Sequence, residues 1–300
     1  MKLLLGGSPC TYWSIAQNKN RETEAEGLGW ELFKNYLIAK EKYKPDYFLY
    51  ENNKSMATAI RDQITRELGV EPILINSALV SAQNRQRYYW TNIPGVQQPE
   101  DCGVYVRDVL EYKDLVPYNG GHFRRTKADP ESPVGKSYQI GRTGEGQGQA
   151  LRVYSIWGKS VTMKANGGGG GAKTGLYFVG GNIYSLNNRG AEKMQTVPSG
   201  YTDCVSASKG LMLCGNGWTV DVIAHILGHI PDITTAQVEV LSMYDGMSCG
   251  HIALDKLGAQ ISRYYATEID KYAIQTTMHN YPDTIQLGDA FQVRDEEWKI

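Results

Sequence analysis

The sequence has no hydrophobic run long enough to cross a bilayer. Apolar stretches such as Leu3-Leu4-Leu5 and Ile73-Leu74-Ile75 stop far short of the roughly 20 residues that a span needs. Met1-Lys2 and the three leucines imitate the start of a signal peptide, but Gly6-Gly7-Ser8-Pro9 interrupts them before the ~7 apolar residues of an h-region are reached. A cytoplasmic chain with no membrane partner is therefore expected. Cysteine is sparse and odd in number: Cys10, Cys102, Cys204, Cys214 and Cys249 are the only five, and none forms a C-x-x-C pair. That spacing suggests neither a disulfide framework nor a zinc site, and no metal is expected. Internal repeats are lacking, and so is the composition of a collagen-like, coiled-coil or disordered chain. With 300 residues, 41% of them hydrophobic, and a net charge of −1, the chain can bury one large core plus a smaller appendage.

The near-zero charge hides an uneven distribution. Residues 81 to 200 hold 15 Lys/Arg against 9 Asp/Glu, a net +6, while the rest of the chain carries −7. The middle either faces a polyanion or is a solvated basic surface. Glycine is uneven too, with 18 of 33 between Gly120 and Gly200, among them the stretch Gly141 to Gly148 and the run Gly167 to Gly171. Glycine costs ~1 kcal/mol per helix position relative to alanine, so this segment is expected to be a loop-rich, short-stranded insert.

On either side of the insert, strands and helices alternate. Leu3–Leu5, Tyr47–Tyr50, Pro72–Ile75 and Tyr88–Trp90 read as strands, and Leu28–Tyr43 and Ala57–Leu68 as helices between them. After the insert, Thr219–Leu227 reads as a helix, followed by strand Val238–Tyr244, helix Ile252–Leu257, strand Tyr264–Thr267, helix Lys271–His279 and strand Thr284–Ile285. The pattern is α/β, and both blocks fit one mostly parallel, doubly wound sheet.

In such a sheet ligands bind at the carboxyl ends of the strands. The strand ending at Tyr244 runs into Asp245-Gly246-Met247-Ser248-Cys249-Gly250, the next ends in Thr267-Glu268, and the third in Gly288-Asp289. A glycine turn with an acidic strand end suits an adenine nucleoside cofactor, either NAD or S-adenosylmethionine. The turn lacks G-x-G-x-x-G, and no Lys or Arg lies between Met243 and Leu254 to meet a pyrophosphate. Both absences favour the sulfonium cofactor. The other block brings Cys10 to the end of the first strand after a Gly-Gly-Ser-Pro turn, where backbone amides can favour its thiolate. Glu51-Asn52 lies at the end of the second strand, and Gln83, Arg85 and Arg87 enter the fourth. A nucleophile, a carboxyl and a fork of donors on one edge suit attack on a heteroaromatic ring.

These residues carry a resemblance. Ser8-Pro9-Cys10, Glu51-Asn52-Asn53, Gln83-Asn84-Arg85-Gln86-Arg87, the segment from Arg189 through Gln195 to Pro198, Gly215-Asn216-Gly217-Trp218-Thr219-Val220 and Val240–Gly246 together resemble the motifs of the cytosine-C5 DNA methyltransferases. Tyr201-Thr202-Asp203, Trp218-Thr219-Val220 and Tyr244-Asp245-Gly246 are most similar to the de novo branch, and the insert resembles those of bacterial and phage modification enzymes. The chain departs from the family at Asn53, where Val is usual, at Gly190, where Glu is common, and at Ser248, where bacterial members have Gly. It also places the catalytic motifs before the cofactor motifs, a circular permutation of the usual order.

The resemblance implies a Rossmann-like S-adenosylmethionine-dependent methyltransferase fold with a small glycine-rich target-recognition domain. The large domain would comprise residues 1–97 and 185–300, and the recognition domain 98–184. Catalysis would fall to Cys10, Glu51, Arg85 and Arg87. The cofactor would meet Pro9, Leu32, Asn216, Trp218, Tyr244, Asp245, Gly246, Met247, Ser248, Cys249, Glu268, Ile269, Asp289 and Ala290. Double-stranded DNA would meet Ser8, Gln83, Arg124, Arg125, Lys127 and Arg142, with Lys136 and Arg152 as further candidates. A monomer, with a cognate restriction endonuclease as a partner in the cell, completes the expectation. The alternatives are a tRNA cytosine-C5 methyltransferase and an inert DNA-binding relative, although the latter would normally have lost Cys10, Glu51 or the arginines.

Overall fold

A computed structural model describes residues 1–15, 21–146, 148–165, 175–298 and 300. In chain order its elements are β1 (Lys2–Gly6), α1 (Gly27–Tyr43), β2 (Tyr47–Asn53), α2 (Thr58–Leu68), β3 (Ile73–Asn76), β4 (Gln86–Thr91), α3 (Val106–Val109), β5 (Leu115–Pro117), β6 (Phe123–Arg125), β7 (Gln139–Thr143), β8 (Arg152–Ser155), β9 (Leu176–Val179), β10 (Asn182–Leu186), α4 (Asn188–Met194), α5 (Ala207–Asn216), α6 (Val220–Leu227), β11 (Gln237–Met243), α7 (Cys249–Leu257), β12 (Gln260–Thr267), α8 (Lys271–Asn280) and β13 (Ile285–Gly288). They form two compact units. The first takes in Met1–Ile75, Gln86–Gln98 and Ile223–Ile300, the second Asn76–Arg85 and Pro99–Val222. The glycine-rich stretch is thus part of a larger unit that also holds α4 and α5.

The first unit is built on a seven-stranded sheet in the order β13-β12-β11-β1-β2-β4-β3. The strands from β13 to β2 are parallel, and β4 runs antiparallel to β2. This is the Rossmann-like, mostly parallel architecture expected. β1 lies in the middle, which explains its unbroken leucines: Leu3, Leu4 and Leu5 are all 0% exposed, as a strand covered on both faces requires. On α1, Trp30, Phe33, Tyr36, Ala39 and Tyr43 recur at three- and four-residue steps and bury one stripe, joined in the core by Ile60 and Ile64 of α2 and by Phe48, Tyr50 and Trp90. Removing a ring such as Phe33 from this cluster costs about 3–5 kcal/mol. Gly69 stops α2 in the left-handed conformation (φ 71°), where glycine has no Cβ to clash. The helix expected from Ile252 begins earlier, at Cys249, because Ser248 (φ 60°) turns the chain into it.

The second unit carries a six-stranded sheet, β5-β10-β9-β8-β7-β6, antiparallel except where β8 meets β9. Its strands are three to five residues long, and Ile140, Val153 and Leu176 form one buried apolar cluster on them. A short-stranded insert was expected from the glycine content, and at Gly141 the reason is steric: a Cβ there would run into the Arg124 carbonyl of the paired strand. Gly167 to Gly171 lies outside the described residues. Ala207–Leu227 is apolar and long enough to cross a membrane, but Gly217, with extended backbone, divides it into α5 and α6. Most of its residues are buried within the fold, as in core helices.

Candidate active site

The chain order of the sheet reverses between β11 and β1: β11, β12 and β13 succeed one another outward on one side, β1 and β2 on the other. Such a reversal opens a crevice at the carboxyl ends of the two middle strands. Here Gly6, the last residue of β1, is the register partner of Met243, the last of β11. The loop carrying Cys10 and the loop Tyr244–Ser248 therefore leave the sheet side by side. Gly6 allows a close fit, since a Cβ there would press on the Tyr36 ring.

The first loop is pinned. Ser8 Oγ shares a 2.6 Å hydrogen bond with Tyr50 Oη, and Asn52 Nδ2 donates to the Ser8 carbonyl at 3.1 Å and to Tyr50 Oη at 3.3 Å. Pro9 and Cys10 then emerge exposed. Trp13, 0% exposed, roots the far side of the turn, its indole N–H donating to Glu22 Oε2 at 3.0 Å. One strand over, Glu51 Oε1 meets Arg87 Nε at 2.9 Å across the antiparallel β2–β4 pair.

Ser8, Gln83 and Arg85, expected at DNA or in catalysis, have buried side chains. The Ser8 hydroxyl is buried against Tyr50. Gln83 is 0% exposed, its Nε2 donating to Met194 O at 3.1 Å and Gln195 Oε1 at 3.0 Å and its Oε1 accepting from Met163 N at 2.9 Å. Arg85 lies in the second unit, 4% exposed. Its guanidinium donates to the carbonyls of Met163 (3.3 Å), Gly215 (3.4 Å) and Gly217 (2.9 Å), which ties these segments together. Gln195 completes that knot, donating to Cys214 O and Gly217 O and accepting from Thr219 Oγ1.

The second loop runs through left-handed backbone at Tyr244 (φ 61°), Gly246 (φ 61°) and Ser248 (φ 60°). Met247, Ser248 and Cys249 are buried, so their side chains are turned from a ligand and only their backbone can serve one. Asp245 is turned inward as well: its carboxylate accepts from Ser248 Oγ and, at 2.8 Å, from Tyr264 Oη. Burial pushes its pKa up to about 6, against these hydrogen bonds.

What faces outward suits a nucleoside without phosphate. No atom lies within 4 Å of where a Gly246 Cβ would stand, leaving open space over the turn, and Ile269 is 73% exposed beside it in sequence to Glu268. Glu268 accepts from Gly246 N, Ile269 N and Asp270 N, each at 2.8 Å. A carboxylate has about four lone-pair sites, so roughly one is left for a ribose hydroxyl. Asp289 is exposed at the end of β13 with one oxygen taken by Phe291 N, and Ala290 is buried behind it. Leu32 meets the loop through its carbonyl, which accepts from Tyr244 Oη at 2.7 Å. Asn216, exposed at the end of α5, and Trp218 belong to the second unit.

In the insert, Arg124, Arg125 and Lys127 are exposed and Arg142 half-buried. Arg142 is the register partner of Arg124 on β6 and of Arg152 on β8, so the three form a row on one face. Lys136 precedes β7 and is exposed. Residues not anticipated from sequence are Tyr50, Tyr264, Asn35 and Arg294. Of these only Asn35 carried a signal, as a polar residue on the buried stripe of α1.

Residues 1–232 match the C-5 cytosine-specific DNA methylase family. Among curated relatives, the type II methyltransferase M.HhaI of Haemophilus parahaemolyticus is 26% identical over 257 residues, 76% of this chain and 75% of that protein. The DNA (cytosine-5)-methyltransferase DRM2 of Oryza sativa subsp. japonica is 26% identical over 124 residues, 41% of this chain and 21% of that protein. Among solved structures, a DNMT2 variant of Spodoptera frugiperda aligns with a TM-score of 0.48 at 17% identity, over 76% of this chain and 78% of that one. The family match spans most of the chain, and it takes in Cys10, Glu51 and Arg87 at the crevice of an α/β sheet. The chain belongs to the C-5 cytosine-specific DNA methylases and is, with them, an S-adenosylmethionine-dependent DNA cytosine-5 methyltransferase.

Proposed function

We propose that this enzyme methylates cytosine in double-stranded DNA through a covalent adduct between Cys10 and C6 of a flipped base. One observation carries the reading: the register pair Gly6–Met243 sends the Cys10 loop and the Gly246 loop out of neighbouring strands into one crevice. Cytosine C5 is a weak nucleophile, and bound S-adenosylmethionine supplies an electrophilic methyl group. Addition of the Cys10 thiolate to C6 gives C5 enamine character, splitting one hard step into two easier ones. Glu51 holds a proton at N3, and the Arg87 guanidinium holds O2 as negative charge gathers on the ring. C5 takes up the methyl, its proton passes to a base such as water, and the C6–S bond breaks to restore the aromatic ring. A stacked base offers none of this access, so the cytosine is extruded from the duplex.

The recognition role falls to the second unit. Like charges on neighbouring strands repel one another, so the row Arg124, Arg142 and Arg152 is an arrangement that a phosphate backbone relieves. Asn216 and Trp218 join the cofactor assignment by motif. A cognate restriction endonuclease is proposed on the strength of the relative named as a type II methyltransferase.

Incubation with duplex DNA containing 5-fluorocytosine tests the mechanism, because fluorine cannot leave as a proton does. The wild-type enzyme should remain attached to DNA through denaturing electrophoresis and Cys10→Ala should not. Retention of substantial turnover by Cys10→Ala would refute the covalent route, and methyl transfer to tRNA in place of duplex DNA would refute the substrate.

A further inference from the structure

Tyr244 adopts a conformation that tyrosine avoids. With φ at 61° its Cβ crowds the following carbonyl, and such a residue persists only where its surroundings over-determine it. The Tyr244 phenol donates to Leu32 O at 2.7 Å and accepts from Asn35 Nδ2 at 3.4 Å, while its backbone N–H donates to Thr267 Oγ1 at 3.0 Å. Asn35, 0% exposed, is fixed in turn, since its Oδ1 accepts from Arg294 Nε at 2.6 Å. Arg294 is anchored through Nη2 to Glu31 O at 3.1 Å and Glu31 Oε2 at 2.8 Å. A line of hydrogen bonds therefore runs from the turn Ala290–Arg294 beyond β13, through the buried face of α1, to the loop after β11.

The direction of every bond in the line is forced. Arginine only donates, so Asn35 must present its carbonyl oxygen to Arg294. The Tyr244 hydroxyl spends its single proton on Leu32 O, so it can only accept from the Asn35 amide. An apolar side chain at position 35 would remove the donor to the Tyr244 phenol and the acceptor of Arg294 Nε, leaving Tyr244 held by Leu32 O and Arg294 by Glu31 alone.

We propose that Asn35 and Arg294 are positioning residues for the cofactor loop, acting through the Tyr244 phenol to hold the turn that aims the Asp245 and Gly246 amides. Those amides are the loop's working parts: Asp245 N–H donates to Thr267 O at 3.0 Å and Gly246 N–H to Glu268 Oε2 at 2.8 Å. Releasing the phenol lets Tyr244 relax toward negative φ, which swings the Gly246 amide off Glu268 and disturbs the carboxylate that a ribose would meet. The inference rests on the assignment of this loop to S-adenosylmethionine.

The test uses the full chain with Tyr244→Phe, Arg294→Ala and the double variant. S-adenosylhomocysteine affinity is measured by calorimetry, duplex DNA affinity by titration, and exchange of the Gly246 amide by hydrogen–deuterium exchange without cofactor. Each single variant should weaken S-adenosylhomocysteine binding and speed Gly246 exchange about fivefold, the worth of one net hydrogen bond. DNA affinity should stay unchanged, and the double variant should be no worse than Tyr244→Phe alone, because both cut the same line. Variants that bind and exchange like wild type, or whose losses add, overturn the positioning role and leave the loop assignment standing. A wild-type chain that does not bind S-adenosylhomocysteine overturns the assignment and the inference together.

Discussion

Glu51 and Arg87 hold each other at 2.9 Å from adjacent antiparallel strands, with side chains only 11% and 13% exposed. Breaking a pair so withdrawn from water is destabilising on the order of 3 kcal/mol, because it strands the remaining charge. Arg87→Ala should therefore lose stability in denaturant melts, and Glu51→Gln in the same chain should restore part of it. Neither restores the chemistry. Glu51→Gln alone should slow single-turnover methyl transfer ~100-fold or more, the range of a lost acid–base group, while duplex DNA affinity changes less than about threefold. Equal losses in rate and affinity would make Glu51 a binding residue instead.

The motif Gln83-Asn84-Arg85-Gln86-Arg87 was visible in the sequence, but only Arg87 stands on β4 beside Glu51. What could not be read was their surroundings. Gln83 and Arg85 are satisfied by Gln195 and by the carbonyls of Met163, Gly215 and Gly217, which lie 78 to 132 residues away. Period-2 patterning distinguishes two faces without saying which is buried, and charged side chains in a basic segment read as exposed until their partners are placed. The β1 leucines and the turn at Gly246 were legible for the opposite reason: continuous burial and positive φ leave local traces in residue type. The inward turn of Asp245 left none, since it depends on Tyr264 from another strand.

That inward carboxyl gives a pH signature. The pKa of Asp245 in the folded chain, about 6, exceeds its ordinary value of 3.8, so folding favours its protonated form. Its contribution to stability is fully present below about pH 4 and is lost as pH rises through 6, on the order of 3 kcal/mol in all. Asp245→Asn carries no such loss. The stability difference between variant and wild type, read from denaturant midpoints across pH 4 to 7.5, should shift in favour of the variant by that amount. A difference that stays flat across the window would place the carboxyl in water.

The row Arg124, Arg142 and Arg152 makes a second measurable claim. Each phosphate neutralised contributes about 0.9 to the slope of log affinity against log salt. Arg124→Ala should lower that slope by roughly one unit and weaken binding uniformly across sequences. Gln83→Leu should instead cost stability, by about 1–3 kcal/mol for the buried groups it leaves unpaired, without altering the slope. An unchanged slope in Arg124→Ala would reduce the row to an exposed basic surface.

The order of the motifs can be tested by cutting and rejoining. β1 sits between β11 and β2 in one sheet, although β11 comes late in the chain and β1 first, and the permutation expected from the motif order predicts that joining Ile300 to Met1 and opening before Val238 yields a working enzyme. Both ends reach the same helix terminus: the Lys2 ammonium lies 4.7 Å from the Tyr43 ring centre, and Lys42 lies 5.8 Å from that of Trp298. Ile300 packs against the same core as Tyr43. A linker of a few residues, at ~3.5 Å each, should then bridge them. Because every strand keeps its neighbours, the exchange replaces one loop closure by another at a cost that grows only slowly with length. The rejoined protein should keep its fold and its methyl transfer within about tenfold of the parent, as read by circular dichroism and labelled-methyl incorporation. A product that folds but cannot methylate would mean that the free ends matter to the active site, and one that cannot fold would mean that the two halves of the sheet are not joined as the permuted order requires.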